Sequence, residues 1–245
     1  MSVAARSPDE LWVCNLGTVP YRRAVEMQER LRARRQAGEL PDTLLLLEHP
    51  PVFTRGRRAR EDELALGEGF YRAQGIEVLD SDRGGRVTYH GPGQLVGYPV
   101  MRVHDLGAFL RTMEGAIVAA LAEEGIAARS RRGEGPDYTG VWVCERKIAS
   151  IGLHLSRGIS THGFAVNVCV DLEPFSWIVA CGLPGVAMTS IARELPAGAT
   201  VDGERFRAGM AEHFCRAHGR RVRLLSAPAL GIAEPLPGIT EPVPA

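Results

Sequence analysis

The chain has 245 residues, enough for one large domain or two small ones, and its 45% apolar and 24% charged content excludes a disordered chain or a fibrous repeat. Lys plus Arg is 29 and Asp plus Glu is 29, so the basic excess of a general nucleic-acid binder is missing and no nucleic-acid partner is expected. The longest weakly charged stretch, Phe175 to Met188, is broken by Gly182, Pro184 and Gly185 and is too short to span a bilayer, so no membrane partner is expected either.

Leu11 to Leu16 reads as a short strand. Pro20 opens a helix carrying Tyr21, Ala24, Met27 and Leu31 at helical spacing, and Gly38 ends it. Thr43 to Leu47 is an apolar strand stopped by His49, Pro50 and Pro51, followed by a polar, Arg-rich connector to about Phe70. Ile76 to Leu79, Val87 to Tyr89 and Gln94 to Val100 read as strands separated by glycine turns. From Asp105, a cap, a helix places Leu106, Phe109, Met113, Ile117 and Leu121 on one side until Gly125. Val141 to Val143, Lys147 to Leu155 and His162 to Val170 are strand-like runs whose short links cannot make parallel crossovers, which predicts an antiparallel meander and an α+β fold. A last helix, Asp202 to Ala217, puts Phe206, Met210, Phe214 and Ala217 on one face. The expected catalytic domain is 1–222; 223–245, Pro-rich from Pro228 onward, reads as a flexible tail.

The N-terminal residues show no basic start leading into an apolar run, which predicts a cytoplasmic protein. Five cysteines, an odd number with no C-x-x-C pair, suggest no disulfide framework, and the seven histidines show no zinc spacing, so no metal is expected. Cys181 stands where a strand-like run breaks into a Gly/Pro turn. A thiol there is approachable, with backbone N–H groups free to stabilise an oxyanion, although free Cys is also among the most buried residue types. Lys147 begins the apolar run KIASIGLHL. A lysine at such a place either snorkels from the strand end into water or, desolvated, belongs to the type that serves as a base at neutral pH. The segment RGGRVTYHGPGQ, Arg83 to Gln94, holds four glycines that let backbone approach a ligand closely, and it matches neither the dinucleotide nor the phosphate-loop fingerprint. His162 opens a strand and reads as a structural residue. The Arg-rich runs Arg55 to Arg60 and Arg129 to Arg132 read as solvated surface or as docking charge for an acidic protein.

Taken together these segments resemble the lipoyl(octanoyl) transferases, the octanoyltransferases of lipoate biosynthesis. The resemblance runs through LGTVPYRRAVEMQ, LLLLEHPPVFTRGRR, DRGGRVTYHGPGQLVGYPV, TGVWV, KIASIG, THGFAVNV and ACGLPGVAMTS, spanning about residues 11 to 195. It implies a mixed, largely antiparallel sheet packed with helices, like the catalytic domains of biotin protein ligases and class II aminoacyl-tRNA synthetases. It also implies octanoyl transfer from octanoyl acyl carrier protein to a lysine of a lipoyl domain, without ATP and with no cofactor. The implied acceptors are lipoyl domains of 2-oxoacid dehydrogenase complexes and the glycine cleavage H protein. Cys181 becomes the nucleophile that holds the acyl thioester and Lys147 its activating partner. Acyl binding is implied for Arg83, Gly84, Gly85, Arg86, Val87, Thr88, Tyr89 and His90, for Ser150, Ile151 and Gly152, and for Gly163, Phe164 and Ala165.

Overall fold

Alternation along the first strand sets the layout. In a computed structural model that describes residues 9–183 and 185–232, β1 (Glu10–Thr18) sends Leu11 and Val13 to one apolar cluster and Trp12 and Cys14 to another. A strand buried on both faces needs a layer above and below it. α1 (Tyr21–Gln36) covers the second face with Ala24, Met27 and Leu31 and is left at Gly38, where φ is +73°. β2 (Thr43–Glu48) lies parallel to β1. β3 (Val52–Arg55) falls inside the stretch expected to be a polar connector; with four residues behind two prolines it has too little length to show alternation. α2 (Glu68–Ala73), β4 (Glu77–Asp80) and β5 (Val87–His90) follow, and β4-β3-β5 form a separate three-stranded sheet.

β6 (Gln94–Val100) returns to the main sheet antiparallel to β2. α3 (Leu106–Glu123) is capped by Asp105, whose carboxylate accepts from the Ala108 N–H at 3.0 Å. Its Met113, Ile117 and Leu121 join the first cluster, whereas Leu106, expected on that side, is 43% exposed. β7 (Arg129–Ser130) takes up part of the second Arg-rich run. β8 (Gly140–Val143), β9 (Arg146–Ser156) and β10 (Ile159–Asn167) make the expected antiparallel meander. His162 does not open β10 but sits inside it at φ +55°, with the register to β9 unbroken. α4 (Ile191–Glu194) and α5 (Gly203–Ala217) follow; α5 buries Phe206, Met210 and Phe214 with Ala211 and Cys215, while Ala217 is exposed. β11 (Arg221–Leu224) pairs in parallel with β1.

The main sheet therefore runs β11-β1-β2-β6-β10-β9-β8-β7, mixed but largely antiparallel, with α3 and α5 on one face and α1 on the other. Among the described residues no helix is long and apolar enough to cross a membrane. The expected boundary at residue 222 falls inside β11, and packing continues beyond it. Ala227, Leu230 and Ile232 are buried with α1, and Arg34 donates to the Leu230 carbonyl. Proline content misled the boundary because Pro228 begins a short turn that seats Leu230. The remainder of the expected tail, residues 233–245, lies outside the described residues.

A chain ending at residue 222 is expected to lose about 3–6 kcal/mol of unfolding free energy relative to the full chain, from the burial of Leu230 and Ile232 alone. The urea midpoint measures this; an unchanged midpoint would show that these residues contribute no packing.

Candidate active site

A backbone hydrogen bond ties the turn between β4 and β5 to the main sheet: the Gly84 N–H donates to the Leu153 carbonyl of β9 at 2.8 Å. Such an approach needs missing side chains. A Cβ on Gly152 would lie 2.7 Å from the Gly84 oxygen, and one on Gly56 would lie 2.6 Å from the Gly85 oxygen. Arg83 fastens the turn from within. It is 8% exposed, and its guanidinium donates to the Thr54 hydroxyl and carbonyl, the Gly84 carbonyl and the Arg86 carbonyl at 2.6–3.1 Å.

Beneath this turn lies a cavity of about 270 Å³. It collects nearly all of the residues singled out in the sequence: Lys147 and Cys181; Arg83, Gly84, Gly85, Arg86, Val87, Thr88 and His90; Ser150, Ile151 and Gly152; Gly163, Phe164 and Ala165. Tyr89 is the exception. On β5 it alternates away from Thr88 and His90 and packs against Phe53 and Phe175 in a core of its own.

Lys147 is 1% exposed, so the snorkelling alternative does not hold. A register shift between Val141 and Trp142 brings it opposite Trp142, and its Nζ lies 5.2 Å from that ring's centroid. Room for the stem comes from Gly140, where a Cβ would sit 2.8 Å from the Lys147 Cε. Its backbone is held on the other side as well: Lys147 N–H donates to the Ala187 carbonyl and the Lys147 carbonyl accepts from the Thr189 N–H, each at 2.9 Å.

Cys181 occupies a short turn, Ala180–Gly182, at φ +57° and ψ +15°. A left-handed residue bearing a Cβ costs about 1–2 kcal/mol, a strain that surrounding contacts must sustain. Its Sγ is half-buried and lies 3.7 Å from the Ser150 Oγ. Burial pushes the Cys14 thiol up to about 11 and the Cys215 thiol up to about 12, whereas the exposed Cys169 is raised by partial desolvation and the nearby Glu48 carboxylate. Burial lowers the proton affinity of Arg83, and nearby Tyr21, Cys181 and Tyr98 act in the opposite direction.

One wall of the cavity is a stack of rings. Tyr21, His90, Tyr98 and His162 line it, with His49 behind, at centroid separations of 5.3–6.4 Å. Burial pushes His49 down to about 4 and His90 well below the usual imidazole range. His49 Nδ1–H donates to the Val19 carbonyl at 2.6 Å, so its Nε2 accepts from the Tyr98 hydroxyl at 2.7 Å. His162 donates from Nε2 to Asp82 Oδ1 at 2.6 Å, which holds that carboxyl down at about 2. Sequence reasoning took Tyr21 as a core helix position and passed over Tyr98. Leu106 and Leu110 of α3 also line the cavity; their signal was the exposed leucine at the start of the helix.

At the rim Arg58 pairs with Asp137 at 3.0 Å. The first Arg-rich run is thus largely occupied, since Arg55 pairs with Glu68 and Asp80 and Arg60 with Asp62. The connector that holds them folds against the glycine turn through Gly56, Arg57 and Arg58 N–H donors.

The family described as "Lipoyl protein ligase A/B catalytic domain" matches residues 20–215. The octanoyltransferase of Solibacter usitatus is 46% identical over 205 residues, 82% of this chain and 90% of that protein. That of Rubrobacter xylanophilus is 50% identical over 183 residues, 73% and 81% of the two chains. Among solved structures, a lipoate-protein ligase A bound with ATP superposes with a TM-score of 0.72 at 20% identity, over 87% of each chain. The bipartite lipoate protein ligase of Thermoplasma acidophilum gives 0.68 at 19%, over 89% of this chain and 87% of that one. At those identities the structural likeness speaks for the fold, and the sequence relatives carry the rest. By the family match and these sequence relatives, this chain belongs to the octanoyltransferases of the lipoyl protein ligase A/B catalytic domain family.

Proposed function

We propose that this octanoyltransferase takes its acyl group from octanoyl acyl carrier protein, holds it as a thioester on Cys181, and passes it without ATP to a lysine of a lipoyl domain. The observation that carries the reading is the sharing of one cavity by the half-buried Cys181 and the buried Lys147. In the first half-reaction the thiolate attacks the donor carbonyl, a C–S bond forms, and the carbonyl electron pair moves to oxygen. Collapse of that oxyanion breaks the bond to the carrier thiol, which leaves with a proton. In the second, the acceptor amine attacks the acyl-enzyme, loses a proton and expels Cys181. In this reading Lys147 carries these protons. Positive charge from Arg83 and from a protonated Lys147 favours both oxyanions. The chain itself fits the apolar side of the cavity, along Leu106, Leu110, Ile151 and Phe164, over Gly152 and Gly163. Acceptors of this chemistry are the lipoyl domains of 2-oxoacid dehydrogenase complexes and the glycine cleavage H protein, and the reaction belongs to the cytoplasm.

The same fold in an ATP-bound ligase raises a second reading, activation of free octanoate as an adenylate. The two readings separate cleanly in one tube. Incubation with octanoyl carrier protein alone should leave one octanoyl group on Cys181, removable by hydroxylamine and by a lipoyl domain. Cys181→Ala should abolish the label while Cys14→Ala, Cys144→Ala, Cys169→Ala and Cys215→Ala retain it. A requirement for octanoate plus ATP, or peptide mapping of the acyl group elsewhere, would overturn the transferase mechanism.

Lys147→Met should lower acyl transfer by about 100-fold or more, the scale of a lost acid–base group. The unfolding midpoint should move far less, because Met replaces much of the buried stem. Turnover near that of the unsubstituted enzyme would remove Lys147 from the chemistry.

A further inference from the structure

Glu63 is a charged residue that is only 3% exposed, in a connector that otherwise lies at the surface. Its two carboxylate oxygens are both engaged. One accepts from the Arg60 N–H at 3.2 Å and the other from Arg86 Nη1 at 2.7 Å. The Glu63 carboxylate in turn raises the proton affinity of Arg86. Its backbone carbonyl accepts from the Val179 N–H at 3.0 Å. Val179 stands two residues before Cys181. On the other flank Gly182, at φ +71°, lies directly on the Arg86 side chain, where any Cβ would overlap the Arg86 Cδ and Nε. One residue therefore holds both sides of the Cys181 turn, the near side through its carbonyl and the far side through the guanidinium it anchors.

The Arg86 backbone is fixed too, its carbonyl accepting from Arg83 Nη2 at 2.7 Å and from the Gly56 N–H at 3.3 Å. Its Nε–H is buried with no hydrogen-bond partner among the described residues. A guanidinium that leaves one donor unsatisfied is held in place by its remaining contacts, the hydrogen-bonded ion pair with Glu63 on one side and the packed turn on the other. The turn needs such support, since Cys181 is left-handed and its neighbouring hydrogen bonds, Gly182 N–H to Val179 and Leu183 N–H to Ala180, are local and long at 3.2 Å.

We propose that Glu63 and Arg86 are positioning residues for the nucleophile: their ion pair holds the Cys181 turn in its left-handed form and so aims the thiol into the cavity. This rests on the reading of Cys181 as nucleophile. Neither residue needs to touch the acyl chain's reacting carbon. The charged groups that share the cavity with Cys181 are Lys147 on β9, Arg83 and Arg86 on the glycine turn, and the Arg58–Asp137 pair at the rim. Of these, Arg86 alone packs on the residue that follows the thiol.

The test compares Arg86→Met, Arg86→Lys and Glu63→Gln by two readouts. The first is the rate at which iodoacetamide alkylates Cys181 at fixed pH, followed by peptide mass mapping with exposed Cys144 as the internal reference. The second is kcat and KM for octanoyl carrier protein. Arg86→Met and Glu63→Gln should each slow Cys181 alkylation relative to Cys144 and lower kcat by about tenfold, the scale of a misaimed reacting group, with KM within about twofold. Arg86→Lys, which keeps the ion pair, should recover most of both. A rise in KM at constant kcat would make Arg86 an acyl-binding residue and overturn the proposal. So would unchanged alkylation in Arg86→Met, or a loss that Arg86→Lys fails to restore. If Arg86→Met does not fold, Glu63→Gln reads the same ion pair with Arg86 intact. Alkylation needs no acyl substrate, so absence of octanoyl transfer in the unsubstituted protein would sink the functional reading while leaving this comparison intact.

Discussion

Burial of positive charge without a matching carboxylate is the constraint around which the site is built. The five hydrogen bonds of the Arg83 guanidinium all end on uncharged oxygens, from Thr54, Gly84 and Arg86. Lys147, almost wholly buried, faces the ring of Trp142. Desolvating a cation is expensive, and neutral dipoles or an aromatic face recover only part of that cost. A larger framework fixes the two side chains: Arg83 joins the small sheet to its own turn, and Lys147 is locked by backbone bonds to Ala187 and Thr189. What remains is a cavity whose field favours anions. Thiolates and tetrahedral oxyanions are the species that a thioester exchange generates.

Glycine placement turns that electrostatic arrangement into a shape. The small sheet can lie on the main one because Gly84 and Gly152 carry no side chain where the two backbones meet, and Gly56 lets the connector close on the Gly85 turn. Gly140 clears the path of the Lys147 stem in the same way. In each case the loss of apolar contact at the glycine is offset by clusters elsewhere, since Phe53, Tyr71, Tyr89 and Phe175 give the small sheet a core of its own. The cavity is thus a seam between two cores, lined by backbone where they touch and by rings and leucines where they separate.

The long, periodic elements were legible. Asp105 and Asp202 cap the helices the spacing predicts, and the short links after Val143 and Leu155 do specify antiparallel pairing. β3 and β7 were not, because β3 lies between two prolines and an arginine-rich run that reads as connector, and β7 has only two residues. For the site, residue type and glycine density located the segments, and the resemblance carried by their motifs brought those segments together. Alternation could have excluded Tyr89, which sits between Thr88 and His90 on a strand buried on both sides. Glu63 was beyond reach of the sequence. In the run REDEL nothing local distinguishes the one acid that is buried from its solvated neighbours, because the distinction comes from Arg86, 23 residues away.

The link between thiol and lysine is shorter in the chain than their separation of 34 residues suggests. After Cys181 the backbone returns to β9 at Ala187, and the Lys147 N–H and carbonyl close on Ala187 and Thr189 while Met188 bridges in parallel with Lys147. Only a few residues of loop therefore separate Cys181 from a backbone attachment to Lys147. Ser150, three positions along the same strand, reaches the Cys181 Sγ. A single strand thus carries the lysine, contacts the thiol and anchors the loop that bears it. β9 thus sets where the Cys181 loop attaches relative to Lys147, and the contacts of the turn itself, through Val179 and Gly182, set the direction of its side chain.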